Sequence, residues 1–459
     1  MNSTDARVVS PAVAAPAQAF SAIYAWWVVF VLCVASIVAF IDRQIINLLV
    51  GPIKQDLGLT DVQISLLQGV SFALFHAALA VPLGRLSDRY NRKWIIVAGI
   101  VCWTLACAGS GMVSGFLGLF VMRMLIGSGE ATLSPAGYSM LADYFPREKL
   151  GRAVSFFLGS GFVGSGIALI FGGAILASLG SAETVALPLF GEVRSWQAAF
   201  LVVSLPGLLC VALMLTVREP PRSSFGRVVV ADVPMPPFRD VLAFVVARRR
   251  TIGAIFIGYS LLAAMQFGLG AWTPEFFVRT YGWDRPTIGY AYGLTYVFAG
   301  TLGVLVGGAL SDWLAARGYM DANLRTGVIA GACALPFVVL FPLMPTGELA
   351  MVLLVPATFF GTMPFGAGTA ALPLLTPNRM RAQMVALYLV VANLLGQGLG
   401  PFFTAALTDY VFADPARLYL SVSIAGGVLL VAAIAVISSG LPGISAALRE
   451  AEAEARGDA

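Results

Sequence analysis

Charge is what this 459-residue chain has least of: Asp, Glu, Lys and Arg together make up 11% of it. Soluble domains carry about 25%. With 59% hydrophobic residues, the composition excludes a water-solvated globular protein and describes a chain solvated mostly by lipid. Histidine occurs once, at His76, and the five cysteines (Cys33, Cys102, Cys107, Cys210 and Cys333) are not clustered. A metal centre needs several such ligands close together, so no metal site is expected. The same shortage leaves a membrane-embedded enzyme without His, Asp or Cys chemistry at depth, and no covalent nucleophile stands out. All five cysteines fall in apolar segments and read as buried thiols without disulfides. A phosphate-loop Gly-Lys-Ser/Thr is missing, which argues against ATP-driven work by this chain alone. Gly159-Ser160-Gly161-Phe162-Val163-Gly164 matches G-x-G-x-x-G, but no strand precedes it and it lies in an apolar run. It reads as small residues that let helices approach, not as a dinucleotide site. No cofactor is implied. The first twenty residues lack the basic start and apolar core of a signal peptide and read as a short disordered tail.

What is present is a series of apolar runs long enough to span a bilayer, which takes about 20 residues each. Twelve are expected, at 25–50, 62–84, 94–113, 116–144, 151–178 and 196–217, then 251–279, 286–311, 325–345, 348–375, 382–409 and 417–440. The predicted fold is an all-α membrane protein of two pseudo-symmetric six-helix bundles. Its parts are a tail (1–24), a first bundle (25–217), a linker (218–250), a second bundle (251–440) and a second tail (441–459). With the amino terminus placed in the cytoplasm, twenty-one of the 28 Lys and Arg fall on the cytoplasmic side and five on the other. Lys54, Arg194, Arg279, Arg285 and Arg417 are the five. By the positive-inside rule both termini are cytoplasmic, in a multi-pass protein of the inner or plasma membrane. The basic triplet Arg248-Arg249-Arg250 closing the linker reads as an anchor at anionic lipid head groups; no nucleic-acid partner is expected.

The halves repeat. Gly84-Arg85-Leu86-Ser87-Asp88 after span 2 returns as Gly308-Ala309-Leu310-Ser311-Asp312 after span 8, and Pro146-Arg147 with Gly151-Arg152-Ala153 returns as Pro377-Asn378-Arg379 with Arg381-Ala382. Six spans per half make the repeats parallel, with a pseudo-two-fold axis along the membrane normal and the substrate path between halves. The stretch Gly84-Arg85-Leu86-Ser87-Asp88-Arg89-Tyr90-Asn91-Arg92-Lys93 resembles the loop 2–3 signature of the major facilitator superfamily, with Asn91 where a Gly is usual. Three further stretches resemble the spinster group: Asp42-Arg43, Arg123 to Ala131, and Asn393 to Pro401. The resemblance covers the chain from span 1 to span 12. It implies a secondary transporter that works by rocking two six-helix halves, acting as a monomer among membrane lipids. It also implies lipid-like substrates such as sphingoid or lysophospholipid molecules.

Asp42 and Arg43 are the only charged residues between Ala25 and Gly51. A charge at bilayer depth costs about 2.5–3.5 kcal/mol or more, so the pair needs partners or a wet cavity. At about 1.5 Å per residue, Arg43 lies roughly 25 Å and Glu130 roughly 21 Å from the cytoplasmic helix ends, with Arg123 near 31 Å. Arg43 is therefore expected to pair with Glu130 in at least one state, and Asp42 or Glu130 to take up a proton during the cycle. Otherwise the pair is permanent and fixes helix register, or Arg43 and Arg123 hold a substrate phosphate or carboxylate. His76 is either a packing residue or a proton group in the cavity. Asn393 and Glu275 are further cavity candidates, Glu275 alternatively facing the outer water layer, with Pro274 expected to kink its helix. Asp88, Arg89, Arg92, Asp143, Arg147 and Asp312 form the expected cytoplasmic gate. The superfamily resemblance implies that this cluster locks the outward-open state; substituting Asp88 should shift the balance toward inward-open, read by cysteine accessibility. The function read from these features is proton-coupled transport of an amphipathic, lipid-like substrate by alternating access. The alternative is a proton-linked carrier of small organic anions or drugs.

Overall fold

In the computed structural model, residues 20–180, 182–187, 191–221, 237–367, 372, 375–377 and 380–456 are described, without the side chains of residues 147, 382 and 444–456. Residues 1–19 of the first expected tail, 457–459 of the second, residues 222–236 of the linker, Asn378, Arg379 and the Arg147 side chain thus lie outside the described residues.

Twelve helices long and apolar enough to cross a membrane are found among the described residues. The first half holds α1 (Ala22–Leu48), α2 (Asp61–Arg89), α3 (Arg92–Ser110), α4 (Phe116–Tyr144), α5 (Glu148–Leu179) and α6 (Ser195–Thr216). The second holds α7 (Arg249–Tyr281), α8 (Arg285–Ala316), α9 (Ala322–Leu343), α10 (Gly347–Ala367), α11 (Gln383–Phe412) and α12 (Pro415–Gly443). Ala22 and Gly443 lie on one side, the terminal side; the loops after α1, α3 and α5 lie on the other, the distal side. A short helix, Val50–Leu57, follows α1, and β1 (Thr184–Leu187) and β2 (Gly191–Arg194) make an antiparallel hairpin after α5.

Local chemistry sets the helix ends. Thr60 and Gln63 form a capping box at the start of α2, each side chain accepting from the other's backbone N–H at 3.1 and 3.0 Å. Asp284 caps α8 by accepting from Thr287 N at 2.6 Å. Asn91 is not a left-handed turn residue. At φ −63° it is the N-cap of α3, its side chain accepting from Trp94 N at 3.2 Å, so the loop signature runs helically through Arg89 and restarts at Arg92. α7 is continuous through Pro274. Outward-facing leucines such as Leu105 and Leu305, 65% and 64% exposed, would be anomalous in water and are ordinary against lipid.

The pseudo-symmetry extends to an irregularity: the second helix of each half widens into one π-helical turn, Leu66–Val70 in α2 and Tyr296–Gly300 in α8. Such turns insert an extra residue and cluster at functional sites. α11 carries another at Leu394–Leu399, and it meets the α2 turn across the seam between the halves. The second seam is the crossing of α5 and α8. A Cβ on Gly166 would lie 2.6 Å from the Gly293 carbonyl oxygen, so only glycine permits this approach.

The halves are tied at the distal side. Asp61 of α2, fully buried, accepts from Arg279 Nη1 and Nη2 of α7 at 2.7 and 2.9 Å and from Lys54 at 2.6 Å. Arg279 also pairs with Glu275 at 2.8 Å. Asp409 of α11 accepts from Val62 N at 2.7 Å.

Candidate functional site between the halves

A cavity of about 270 Å³ lies between the two halves, lined from α1, α2, α4 and α5 on one side and from α7, α8, α10 and α11 on the other. Arg43 stands on its wall. Its guanidinium makes an ion pair with Glu130 of α4 and lies 4.7 and 4.2 Å from the ring centroids of Phe40 and Phe72. Two aromatic faces and a carboxylate thus share one cation. Glu130 is 3% exposed, and its second oxygen has no hydrogen-bond partner.

Arg123, about two helical turns before Glu130, reaches α1 at the level of the pair. It donates from Nη1 to the Asp42 carbonyl at 3.0 Å and from Nη2 to the Arg43 carbonyl at 3.2 Å. A backbone carbonyl has two lone pairs, so α1 keeps its own ladder while accepting these bonds. At 1% exposure Arg123 does not line the cavity, which corrects the expectation that it could hold a substrate anion there. Its length and its buried backbone partners turn it inward.

Asp42 is fully buried on the face of α1 away from the cavity. Both carboxylate oxygens lack a hydrogen-bond partner in normal geometry; beside them stand Cys107, Glu130 and Arg123. A thiol is a weak donor, and Arg123 directs its hydrogen bonds at carbonyls. An ionised carboxylate here would be buried and poorly compensated, a costly arrangement.

Gly127 sits between Arg123 and Glu130, and a Cβ there would lie 2.6 Å from the Phe72 carbonyl oxygen. Glycine therefore lets α2 lie against α4 and sets Phe72 over Arg43. Gly127→Leu is expected to overpack this contact, costing about 1–3 kcal/mol. A thermal melt should show the loss, and an unchanged melting temperature would contradict the contact's tightness.

Three other sequence candidates are placed differently from one another. His76 does not line the cavity; it stacks on Phe72 with centroids 5.2 Å apart and faces the Gly127 backbone. Glu275 is also off the cavity and not open to the outer water: at 4% exposure it is held by Arg279 and lies 3.7 Å from Arg285. Asn393 lines a second, adjoining cavity of about 180 Å³ with Tyr259, Leu262, Phe267, Phe365 and Tyr388. Phe267 and Phe365 border both cavities.

Of the terminal-side cluster, Arg92 is 2% exposed and ion-paired with Asp143 and with Glu219. It also donates to the carbonyls of Ser139 and Pro220 at 3.1 and 3.2 Å. Glu219 was missed by sequence reasoning because it sits beyond the apolar run of α6. Asp88, Arg89 and Asp312 are exposed on this side, and among the described residues no ion pair reaches them. Among the described residues the ion pairs that link the halves are the distal ones around Asp61 and Arg279.

Two six-helix halves around a central cavity with buried charge define a multi-pass membrane transporter, and the family model of the Major Facilitator Superfamily matches residues 32–401. The chain belongs to that superfamily, whose family and fold are those of transporters, not enzymes. Within it the chain resembles the spinster group. It is 28% identical to human protein spinster homolog 1 over 414 residues, 83% of this chain and 72% of that one. It is 26% identical over 396 residues to an MFS-type efflux pump of Mycolicibacterium smegmatis, 85% of this chain and 86% of that one. The crystal structure of a bacterial homolog of the human lysosomal transporter Spinster, inward-facing and unoccupied, superposes with a TM-score of 0.75 at 24% identity, covering 94% of this chain and 98% of that one.

Proposed function

We propose that the chain is a secondary active transporter that moves an amphipathic, lipid-like substrate by alternating access, coupled to protons. The observation that carries this reading is the juxtaposition of the cavity-facing Arg43–Glu130 pair with the fully buried Asp42 behind it, whose carboxylate has no well-formed hydrogen bond. In this reading both termini are cytoplasmic, residues 218–250 link two rocking halves, and Asp42 carries the proton in the state described here. Loss of that proton places a buried negative charge beside Glu130 and Arg123, repelling the one and attracting the other, and so biases the pair at the cavity wall. The adjoining apolar cavity, opening toward Asn393, suits a hydrocarbon tail. Asp88, Arg89 and Asp312 come together with their neighbours when the terminal side closes, while the Asp61–Arg279 tie is released. The likeness to an efflux pump favours a second reading, a proton-linked carrier of small organic anions or drugs.

Exchange of a labelled amphiphile across proteoliposomes tests the carrier reading. Saturable, substrate-stimulated exchange is expected; flux that rises linearly with concentration would contradict it.

A further inference from the structure

The distal part of the cavity is walled by side-chain amides: Gln44 and Asn47 of α1, Gln68 of α2, Gln266 of α7 and Gln397 of α11. Among the described residues Arg43 is the only charged one in the lining, and Glu130 pairs with it. An amide can present either its oxygen or its nitrogen, but two networks here are fixed at their far ends by backbone carbonyls, which only accept. Gln68 Nε2 donates to the Ala271 carbonyl at 3.1 Å and to Asn47 Oδ1 at 3.1 Å. Its Oε1 is therefore the free end, buried and without a partner. Asn47 Nδ2 in turn donates to Gln44 Oε1 at 2.6 Å, which leaves the amino group of Gln44, a lining residue, as a donor. In the second network Asn393 Nδ2 donates to the Leu389 carbonyl at 2.8 Å, and Gln397 Nε2 donates to Asn393 Oδ1 at 2.6 Å. This leaves Gln397 Oε1 as an acceptor. The α2 and α11 turns that carry Gln68 and Gln397 meet at the seam, so acceptors from both halves and a donor from α1 share one space.

We propose that this wall is a subsite for an uncharged, hydroxyl-bearing head group, such as a glycerol or sugar moiety on a hydrocarbon tail. The proposal rests on the carrier reading and narrows its substrate class. A hydroxyl both donates and accepts, so it satisfies Gln68 and Gln397 as well as Gln44. An ionised phosphate or carboxylate only accepts: it can take the Gln44 amino group and compete with Glu130 for Arg43, but it leaves the Gln68 and Gln397 oxygens unbonded and opposed to its charge. An ammonium only donates, and no carboxylate in the lining compensates its charge next to Arg43. A buried acceptor left unbonded is disfavoured, so the head that fills both roles binds best.

The test is competition binding to the full chain in lipid nanodiscs with four twelve-carbon amphiphiles: 1-monolauroylglycerol, methyl laurate, dodecyl phosphate and dodecylamine. Monolauroylglycerol is expected to bind tightest. Gln68→Met and Gln397→Met should each weaken it about 3- to 10-fold, the range for one hydrogen bond, while leaving methyl laurate unchanged. Two variants on different helices guard against one that fails to fold. Tighter binding of the phosphate or the amine, or Met variants that leave monolauroylglycerol unchanged, overturns the subsite while the carrier reading stands. Absence of saturable binding by all four overturns the subsite and the amphiphile reading together.

Discussion

Asp42→Asn is expected to abolish accumulation driven by a pH gradient while sparing exchange. The asparagine keeps the shape of the neutral acid, so α1, Arg123 and the Arg43–Glu130 pair retain their geometry, but it cannot release a proton. Coupling of one proton per substrate lets a pH difference of one unit sustain about tenfold accumulation. In proteoliposomes the wild-type chain should approach that ratio, and the variant should stop at equal concentrations inside and out. Glu130→Gln tests the other candidate carboxylate. It leaves Arg43 with only the faces of Phe40 and Phe72, so exchange itself should fall along with coupling. Full accumulation by both variants would reduce the charged constellation to a fastener of helix register.

Asp61→Ala is expected to open the distal side. Asp61 is buried and receives three charged hydrogen bonds, two of them from Arg279 of the opposite half. Removing one partner of a buried ion pair costs about 3–5 kcal/mol. In the proposed cycle the tie is released when the distal side opens, so most of that loss falls on the closed state. At 1.4 kcal/mol per factor of ten, the balance between states should move by about 10²- to 10³-fold. A cysteine at Ala271, in the cavity lining, placed in a cysteine-free background, reports the change. An impermeant maleimide added from the distal side should label it fast in Asp61→Ala and slowly with Asp61 present. Equal rates would remove the Asp61–Arg279 pair from the gating account.

The framework was legible because lipid leaves a chain few choices. A spanning segment must satisfy its own backbone, so length and apolarity locate it, and α4 begins and ends where its apolar run does. α2 runs past the expected end at residue 84 to Arg89, because the polar signature there is itself helical until Asn91 caps the next helix. The meeting of Arg43 and Glu130 followed from helical rise, since a buried charge needs a partner at its own depth. The same arithmetic misplaced Arg123, whose long side chain reaches about a turn from its backbone position to the α1 carbonyls. The distal tie was not legible: Asp61 and Arg279 are 218 residues apart and stand at helix ends, where a charge calls for no explanation. Nor were the amide networks, because Gln and Asn in a span carry no charge penalty to draw attention. Their meaning depends on which backbone carbonyl lies at the far end.

In the proposed cycle, substrate movement through the inter-half cavity carries protons by way of Asp42. The most direct measurement is proton flux across weakly buffered proteoliposomes, with substrate added to one side and no gradient imposed. A pH change inside the vesicles that follows substrate uptake, present with the wild-type chain and lost in Asp42→Asn, is the result predicted. Substrate uptake by the wild-type chain with no accompanying pH change would contradict it.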